Sequence, residues 1–362
     1  MLPSFDRGGA ESYCLRLVQF SRDRAIDWHV TSGNFRNAQM EPEFSAAGAT
    51  THHVSPGRLS IRQLRAFRKF LRQFRFDVVM TFTGLFGAAA LRQACSVGVP
   101  SRIAWHRRSS PAFSPTFVRK IYARWSLWEL ERLSHWILSN SEAALDRFHG
   151  TRWRDHGRFR VIPNGVDPQR FHPQPTLRKE IRVSEALPDS AIVIGHIGRV
   201  DPAKDHETLL KSVRMARDAG ENAWLLCAGT GTDTEEFRER VKAHRIADYT
   251  RCLGARSDVE RIYQAMDVFL FPSVTEGQPN ALIEAMLSGV RILASDIPPI
   301  REAIPEFLFG DLFSPGDADA ASRLLAAPAS RDSEKITRAR KWAINRYDPQ
   351  RNFNAVLEIM GL

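Results

Sequence analysis

The run Asp267-Val268-Phe269-Leu270-Phe271, cut off by Pro272, constrains this chain more than any other stretch. An apolar run without alternation is how a strand buried on both faces reads, and such strands belong to parallel sheets covered by helices. A loop rich in Gly and Pro follows over residues 273–280. Ala281-Leu282-Ile283-Glu284-Ala285-Met286-Leu287-Ser288 then predicts a helix stopped by Gly289. Strand, loop and helix in that order form the repeating unit of an α/β fold. Glu276 falls at the mouth of the loop and Glu284 about one turn into the helix. Between them the helix start offers backbone N–H groups and a positive dipole end, a seat for an anion such as phosphate. Carboxylates on either side of that seat suit the hydroxyls of a sugar and of a ribose.

Similar units precede it. Ala191-Ile192-Val193-Ile194-Gly195-His196-Ile197-Gly198 predicts a strand, with Arg199 at its end and Lys204 five residues on. A forked guanidinium and a point-charge ammonium make a fitting pair for a diphosphate. Residues 224–228 and then Gly229-Thr230-Gly231 read as strand and glycine turn, without the third glycine of a dinucleotide fingerprint. Cys252-Leu253-Gly254 ends the next strand. Upstream, short strands are expected near 26–30 and 49–54, a helix over 58–75, and strands at 77–82 and 99–106. His106 stands at the carboxyl end of the last of these, where α/β folds place ligand groups. The aromatic-rich stretch 117–133, with Tyr122, Trp125 and Trp128, predicts a mostly buried helix with one face open to a membrane-interface role.

Glu276 and Glu284, with Pro279-Asn280 and the Glu284-Ala285-Met286 run, resemble the E-x7-E signature of retaining glycosyltransferases of family 4 (group 1). Arg199 with Lys204 resembles that family's G-R-x4-K pattern, Gly8-Gly9 its first loop, and Pro163-Asn164-Gly165-Val166-Asp167 its segment before the linker. The resemblance implies an α/β chain of GT-B architecture, two Rossmann-like domains with parallel sheets facing a cleft. Residues 1–168 are then the acceptor-side domain, 169–339 the nucleotide-sugar donor domain, and 340–362 a C-terminal helix crossing back. It further implies that Glu276 orients the donor sugar and Glu284 the ribose. Arg199 and Lys204 hold the departing diphosphate, assisted by the helix start. Gly8, Gly9, Gly277, Asn280, Ala281, Leu282 and Gly254 line the donor. His106 touches the donor sugar in this reading; a structural or acceptor-side histidine is the alternative. No metal and no cofactor are implied, the donor being a UDP- or GDP-sugar substrate. Two departures stand out. Arg291 replaces the family's usual Pro, which bears on a turn. Only Met1-Leu2 remain of the apolar strand that family members place before Gly8-Gly9, so the N-terminal sheet is expected to want a central strand supplied from upstream.

Charge narrows the partners. Residues 1–172 hold 26 Lys and Arg against 13 Asp and Glu, a net of +13, and the remaining 25 against 28 give −3. The excess predicts an anionic partner for the N-terminal half. Arg62, Arg65, Arg68, Lys69, Arg72 and Arg75 surround an apolar stripe of Leu64, Phe67, Leu71 and Phe74, which suits a peripheral site on an anionic membrane. The four cysteines show no ligand spacing and read as free thiols of a reducing compartment. With no apolar run of membrane-spanning length, the expectation is a cytoplasmic transferase, peripheral at the cytoplasmic membrane. It would build cell-surface polysaccharide or lipopolysaccharide on a saccharide or lipid-linked acceptor. A glycosidase using the two glutamates would leave Arg199 and Lys204 without a task. A nucleotide-sugar epimerase on the same fold stays open. A nucleic-acid binder is disfavoured, because the aromatics sit at apolar helix positions and no binding motif accompanies them.

Overall fold

The computed structural model describes residues 1–6, 8–33, 38–57, 60–107, 116–326 and 333–362. The chain divides into two compact units. Unit 1 comprises residues 1–165 and 349–362, and unit 2 comprises residues 166–348. Every strand pairing among the described residues is parallel.

Unit 2 contains β7 (Ile192–Ile197), β8 (Ala223–Ala228), β9 (Thr250–Cys252), β10 (Val268–Phe271), β11 (Arg291–Ser295) and β12 (Leu312–Phe313). They form one sheet in the order β12-β11-β10-β7-β8-β9. The run 268–271 is buried at every position because it is central and covered on both sides. Alternate residues feed two cores. Val193, Leu226, Phe269 and Phe271 join the helices Val259–Gln264, Asn280–Leu287 and Ser333–Arg346 on one face. Ile194, Leu225, Cys227 and Leu270 join His206–Asp218, Glu235–Ala243 and Ala318–Ala326 on the other. The order reverses between β10 and β7, which is where such sheets open a crevice beyond their carboxyl ends.

Unit 1 holds β1 (His29–Thr31), β2 (Thr50–His52), β3 (Val78–Thr81), β4 (Ser101–His106), β5 (Trp136–Ser139) and β6 (Phe159–Val161). Here the sheet is in two pieces, β1-β2 and β3-β4-β5-β6. Met1 and Leu2 join them: Leu2 N donates to Thr31 O at 2.8 Å, Met1 N to Met80 O at 2.7 Å, and Phe82 N to Met1 O at 3.0 Å. The helices Gly9–Phe20 and Pro349–Met360 cover one face, with the Phe353 ring 5.4 Å from Tyr13 and 5.2 Å from Phe20. Pro349 starts a new helix after Ser333–Arg346, so the chain returns to unit 1 at 349, and residues 340–348 stay with unit 2. At Gly165 the returning chain passes close. A Cβ there would lie 2.9 Å from the Pro349 Cα and 2.8 Å from the Phe353 ring.

The basic helix runs Ile61–Phe74, capped by Ser60, whose hydroxyl accepts from Gln63 N at 3.3 Å; Arg58 lies outside the described residues. Two sequence expectations need correcting. The helix Phe117–Leu133 is not mostly core: Phe117, Val118, Ile121, Trp125 and Trp128 are all exposed. Successive steps of four, four and three put Phe117, Ile121, Trp125 and Trp128 on one stripe facing away from the sheet. Arg291 is not a turn residue. It opens β11, lies buried, and donates to Leu324 O at 2.6 Å.

Candidate functional site

The carboxyl ends of β7, β8 and β9 are laced together by close backbone contacts at glycines. Gly229 has φ +139°, and a Cβ on it would sit 2.2 Å from Gly198 O, so no side chain is possible there. Its N–H donates to Gly254 O at 2.7 Å. Gly254, at φ +66°, passes so close to Asp233 that a Cβ would meet Oδ2 at 2.6 Å. Bare backbone at a strand edge is what lets a ligand approach the sheet closely.

After β7 the chain enters the short turn Pro202–Lys204, with Asp201 capping it by accepting from Ala203 N at 2.9 Å. The loop after β10 is tied to that turn by Val274 N donating to Ala203 O at 2.9 Å. These two anchors bring Lys204 Nζ to 2.5 Å from Glu276 Oε1 and 4.8 Å from the centre of the Phe271 ring. The side chains are 21% and 11% exposed, so the pair is sheltered yet reachable. The sequence placed Lys204 on a diphosphate and Glu276 on a sugar; in the folded chain each is also the other's partner. Arg199 differs. Its guanidinium is half exposed, and its Nε stands 3.5 Å from Asp201 Oδ2, a long and well-solvated contact of small energetic weight.

The helix Asn280–Leu287 starts at Pro279 with no side-chain cap hydrogen bond, and Gly277, Gln278 and Pro279 approach it buried. Ala281 and Leu282 lie in its first turn. Glu284 Oε2 accepts from the Tyr263 hydroxyl at 3.2 Å, and the same hydroxyl reaches Ala281 O at 2.9 Å. Burial, with the Glu284 charge beside it, pushes the Tyr263 phenol well above its ordinary range, so it remains a donor. Tyr263 was missed in the sequence, where a tyrosine in the helix preceding β10 looks like any core aromatic. Under Lys204 lies a second unforeseen feature, the buried pair His196 and His206 with ring centres 4.8 Å apart. Burial first, then His206 for His196 and the Arg240 and Lys204 cations for His206, lower them to about 3 and about 4. His196 donates from Nδ1 to Leu270 O at 3.0 Å, which ties β7 to β10.

In unit 1, Gly8 is the extended N-cap of the helix Gly9–Phe20, and a Cβ on it would strike Glu11 Oε2 at 2.5 Å. Gly9 has open space around its α-carbon, and the contact at position 8 is with the far end of a flexible side chain, so crowding demands glycine at neither position. His106 is 1% exposed and lowered to about 3 by burial. Its ring stacks on Phe148 at 4.8 Å, and its Nε2 lies 3.0 Å from His149 Nε2. Among the described residues, no group of three or more His, Cys, Asp or Glu is placed to hold a metal ion. Among them, too, no helix is long and apolar enough to cross a membrane.

Two α/β units with parallel sheets, one carrying charged residues at its strand-order reversal, have the architecture of the GT-B fold. HepE of Anabaena, solved with UDP-glucose, superposes with a TM-score of 0.83 over 99% of this chain and 98% of its own, at 18% identity. Residues 178–346 match the family described as Glycosyl transferases group 1, and residues 7–170 match Glycosyltransferase Family 4. The chain belongs to this group 1, family 4 set of glycosyltransferases. EpsF of Bacillus subtilis, named as a glycosyltransferase, is 26% identical over all of this chain and 95% of its own. The UDP-Gal:alpha-D-GlcNAc-diphosphoundecaprenol alpha-1,3-galactosyltransferase of Escherichia coli is 25% identical over 66% of this chain and 62% of its own.

Proposed function

We propose that this glycosyltransferase moves a sugar from a nucleotide-sugar donor, of the UDP- or GDP-sugar kind, to a lipid-linked or saccharide acceptor in cell-surface polysaccharide synthesis. Retention of the anomeric configuration and independence from metal belong to the same proposal. The observation that carries it is the sheltered Lys204–Glu276 pair at the β7/β10 reversal, next to the approach to the helix Asn280–Leu287. In this reading Lys204, Arg199 and the helix start offset the charge that builds on the departing diphosphate. Fixed positive groups in a sheltered site do this without reorganising, and such electrostatic stabilisation is commonly the largest catalytic contribution. Glu276 turns from Lys204 to the donor sugar. Glu284, oriented by Tyr263, accepts from the ribose hydroxyls, and His106 serves the sugar. HepE's complex with UDP-glucose and the Escherichia coli relative's diphosphoundecaprenol acceptor lend the donor and acceptor classes support.

A peripheral site on an anionic membrane at the cytoplasmic face is part of the proposal. The exposed basic residues of the helix Ile61–Phe74 and the exposed aromatic stripe of Phe117–Leu133 support it, since basic residues with interfacial Trp suit a lipid surface. The decisive experiment is a thermal-shift panel of nucleoside diphosphates and nucleotide sugars, with and without EDTA. A true donor at 100 times its Kd adds about 2.7 kcal/mol. A panel without any shift, or turnover that EDTA abolishes and magnesium restores, would overturn the donor or the metal-free part respectively.

A further inference from the structure

In unit 1 a chain of polar groups leads to His106, and two of its members, Glu131 and His149, have no task in the sugar-transfer scheme. His149 Nδ1 lies 2.6 Å from Glu131 Oε1, and His149 Nε2 lies 3.0 Å from His106 Nε2. The three residues come from separate elements of unit 1: the helix Phe117–Leu133, the end of the helix Glu142–His149, and the end of β4. Both histidines are buried, His149 at 2% exposure, while Glu131 reaches solvent at 40%. Phe148 stacks on His106, and the Phe159 ring meets His149 at 5.0 Å.

We propose that Glu131 and His149 are positioning residues that hold His106 as its Nε2–H tautomer, leaving Nδ1 as a bare acceptor for a substrate hydroxyl. The protons follow from the contacts. A carboxylate facing His149 Nδ1 requires the proton on that nitrogen, because a lone pair there would face another lone pair. A neutral His149 then has an unprotonated Nε2, which can only accept. The opposing His106 Nε2 must therefore donate, and the remaining His106 nitrogen carries none. Burial, and the Arg158 cation nearby, keep His149 neutral against the pull of Glu131. With Nε2 committed, Nδ1 is the only ring nitrogen of His106 able to meet a ligand. The proposal rests on the reading that His106 serves the transferred sugar.

Nitrogen-15 NMR of the histidine-labelled protein tests the tautomers without reference to activity. The expected result at pH 7.5 is Nε2–H on His106 and Nδ1–H on His149; Nδ1–H on His106 overturns the proposal. In turnover assays His149→Phe, which cannot accept, should lower kcat roughly 10- to 100-fold, as misaligned catalytic groups do, with donor KM within about twofold. His149→Gln, whose amide oxygen can take the place of Nε2, should recover most of that loss. Glu131→Ala should lower kcat in the wild-type background and add little in the His149→Phe background. Equal kcat for His149→Phe and His149→Gln overturns the positioning role. Wild-type turnover by His106→Ala instead overturns the reading of His106 in the reaction, which separates the two failures.

Discussion

At the carboxyl edge of the six-stranded sheet, Lys204 and Glu276 are partly open to solvent and held by a capped turn and a loop. At the carboxyl end of β4 in the four-stranded sheet, His106 is buried, stacked on Phe148 and bonded to a second histidine. Both positions are strand ends of a parallel sheet, yet they treat charge oppositely. The unit 2 edge keeps full charges that a ligand can share. The unit 1 position strips charge away and leaves a neutral ring whose proton is set by its neighbours. A site for a diphosphate needs the first, since fixed charges must meet the ligand. A group that accepts from a neutral hydroxyl needs the second, since burial keeps a histidine uncharged.

The sharpest way to break this comparison is to remove the charges of unit 2. Glu276→Ala and Lys204→Ala should each lower kcat/KM about 10²- to 10³-fold while the protein stays folded, a loss typical of deleted electrostatic stabilisers. Glu284→Ala should act chiefly through donor KM, by roughly tenfold, the worth of a charged hydrogen bond. Near-normal turnover by Glu276→Ala, measured by donor consumption, would remove the unit 2 half of the contrast.

A second test asks whether the basic excess of unit 1 is a surface charge rather than part of a donor site. Replacing Arg65, Arg68 and Arg72 with Glu should weaken flotation with anionic vesicles about 100-fold at low salt. Each basic residue near such a surface contributes about 1 kcal/mol, so three make roughly that factor. Donor affinity should not change. Equal flotation of both proteins, or none by either at low salt, would reduce the basic face to solvated surface.

The smallest effect concerns the buried rings themselves. His106 and His196 are both lowered from the ordinary 6.5 to about 3 by burial. Each is neutral when folded but takes a proton when unfolded below 6.5, so the unfolded state binds more protons there. Their stabilising contribution is therefore complete above pH 6.5 and is lost as pH falls toward about 3. The rate of loss is up to about 1.4 kcal/mol per pH unit for each ring. Urea unfolding of His196→Phe and His106→Phe between pH 6.5 and 5 should each show a shallower pH slope than the parent chain. A slope unchanged in one variant would mean that its histidine takes up a proton in the folded state, and the two regions would no longer be alike in this respect.

Legibility followed locality. The strand β10, the helix Asn280–Leu287 and the carboxylates Glu276 and Glu284 could be read from the chain, because the apolar run, the loop glycines and the helix stop lie within about twenty residues. Arg199 and Lys204 were legible as two cations five residues apart, whereas the ion pair of Lys204 with Glu276 is set by the contact of two loops seventy-two residues apart. Tyr263 behind Glu284 and His196 under Lys204 carried no signal, since a buried tyrosine or histidine in a core element looks like packing until its neighbours are known. The exposed stripe of Phe117, Ile121, Trp125 and Trp128 misled for a related reason. Helical spacing says that apolar residues share a face, and only the packing of the neighbouring elements says whether that face is covered.

By itself, then, the sequence determined two α/β halves, the parallel sheet of unit 2, the excess of positive charge in the first half, and the carboxylates flanking a helix start. These rest on backbone propensity, side-chain period and charge, which act over a few residues and survive without a tertiary context. The tertiary structure alone decided which cation meets which carboxylate, which histidines lose their charge, and that β1-β2 and β3–β6 stand as separate pieces joined through Met1 and Leu2. The physical reason is that pairing, desolvation and strand order depend on distances between segments far apart in the chain, and those distances exist only once both sheets have closed around their cores.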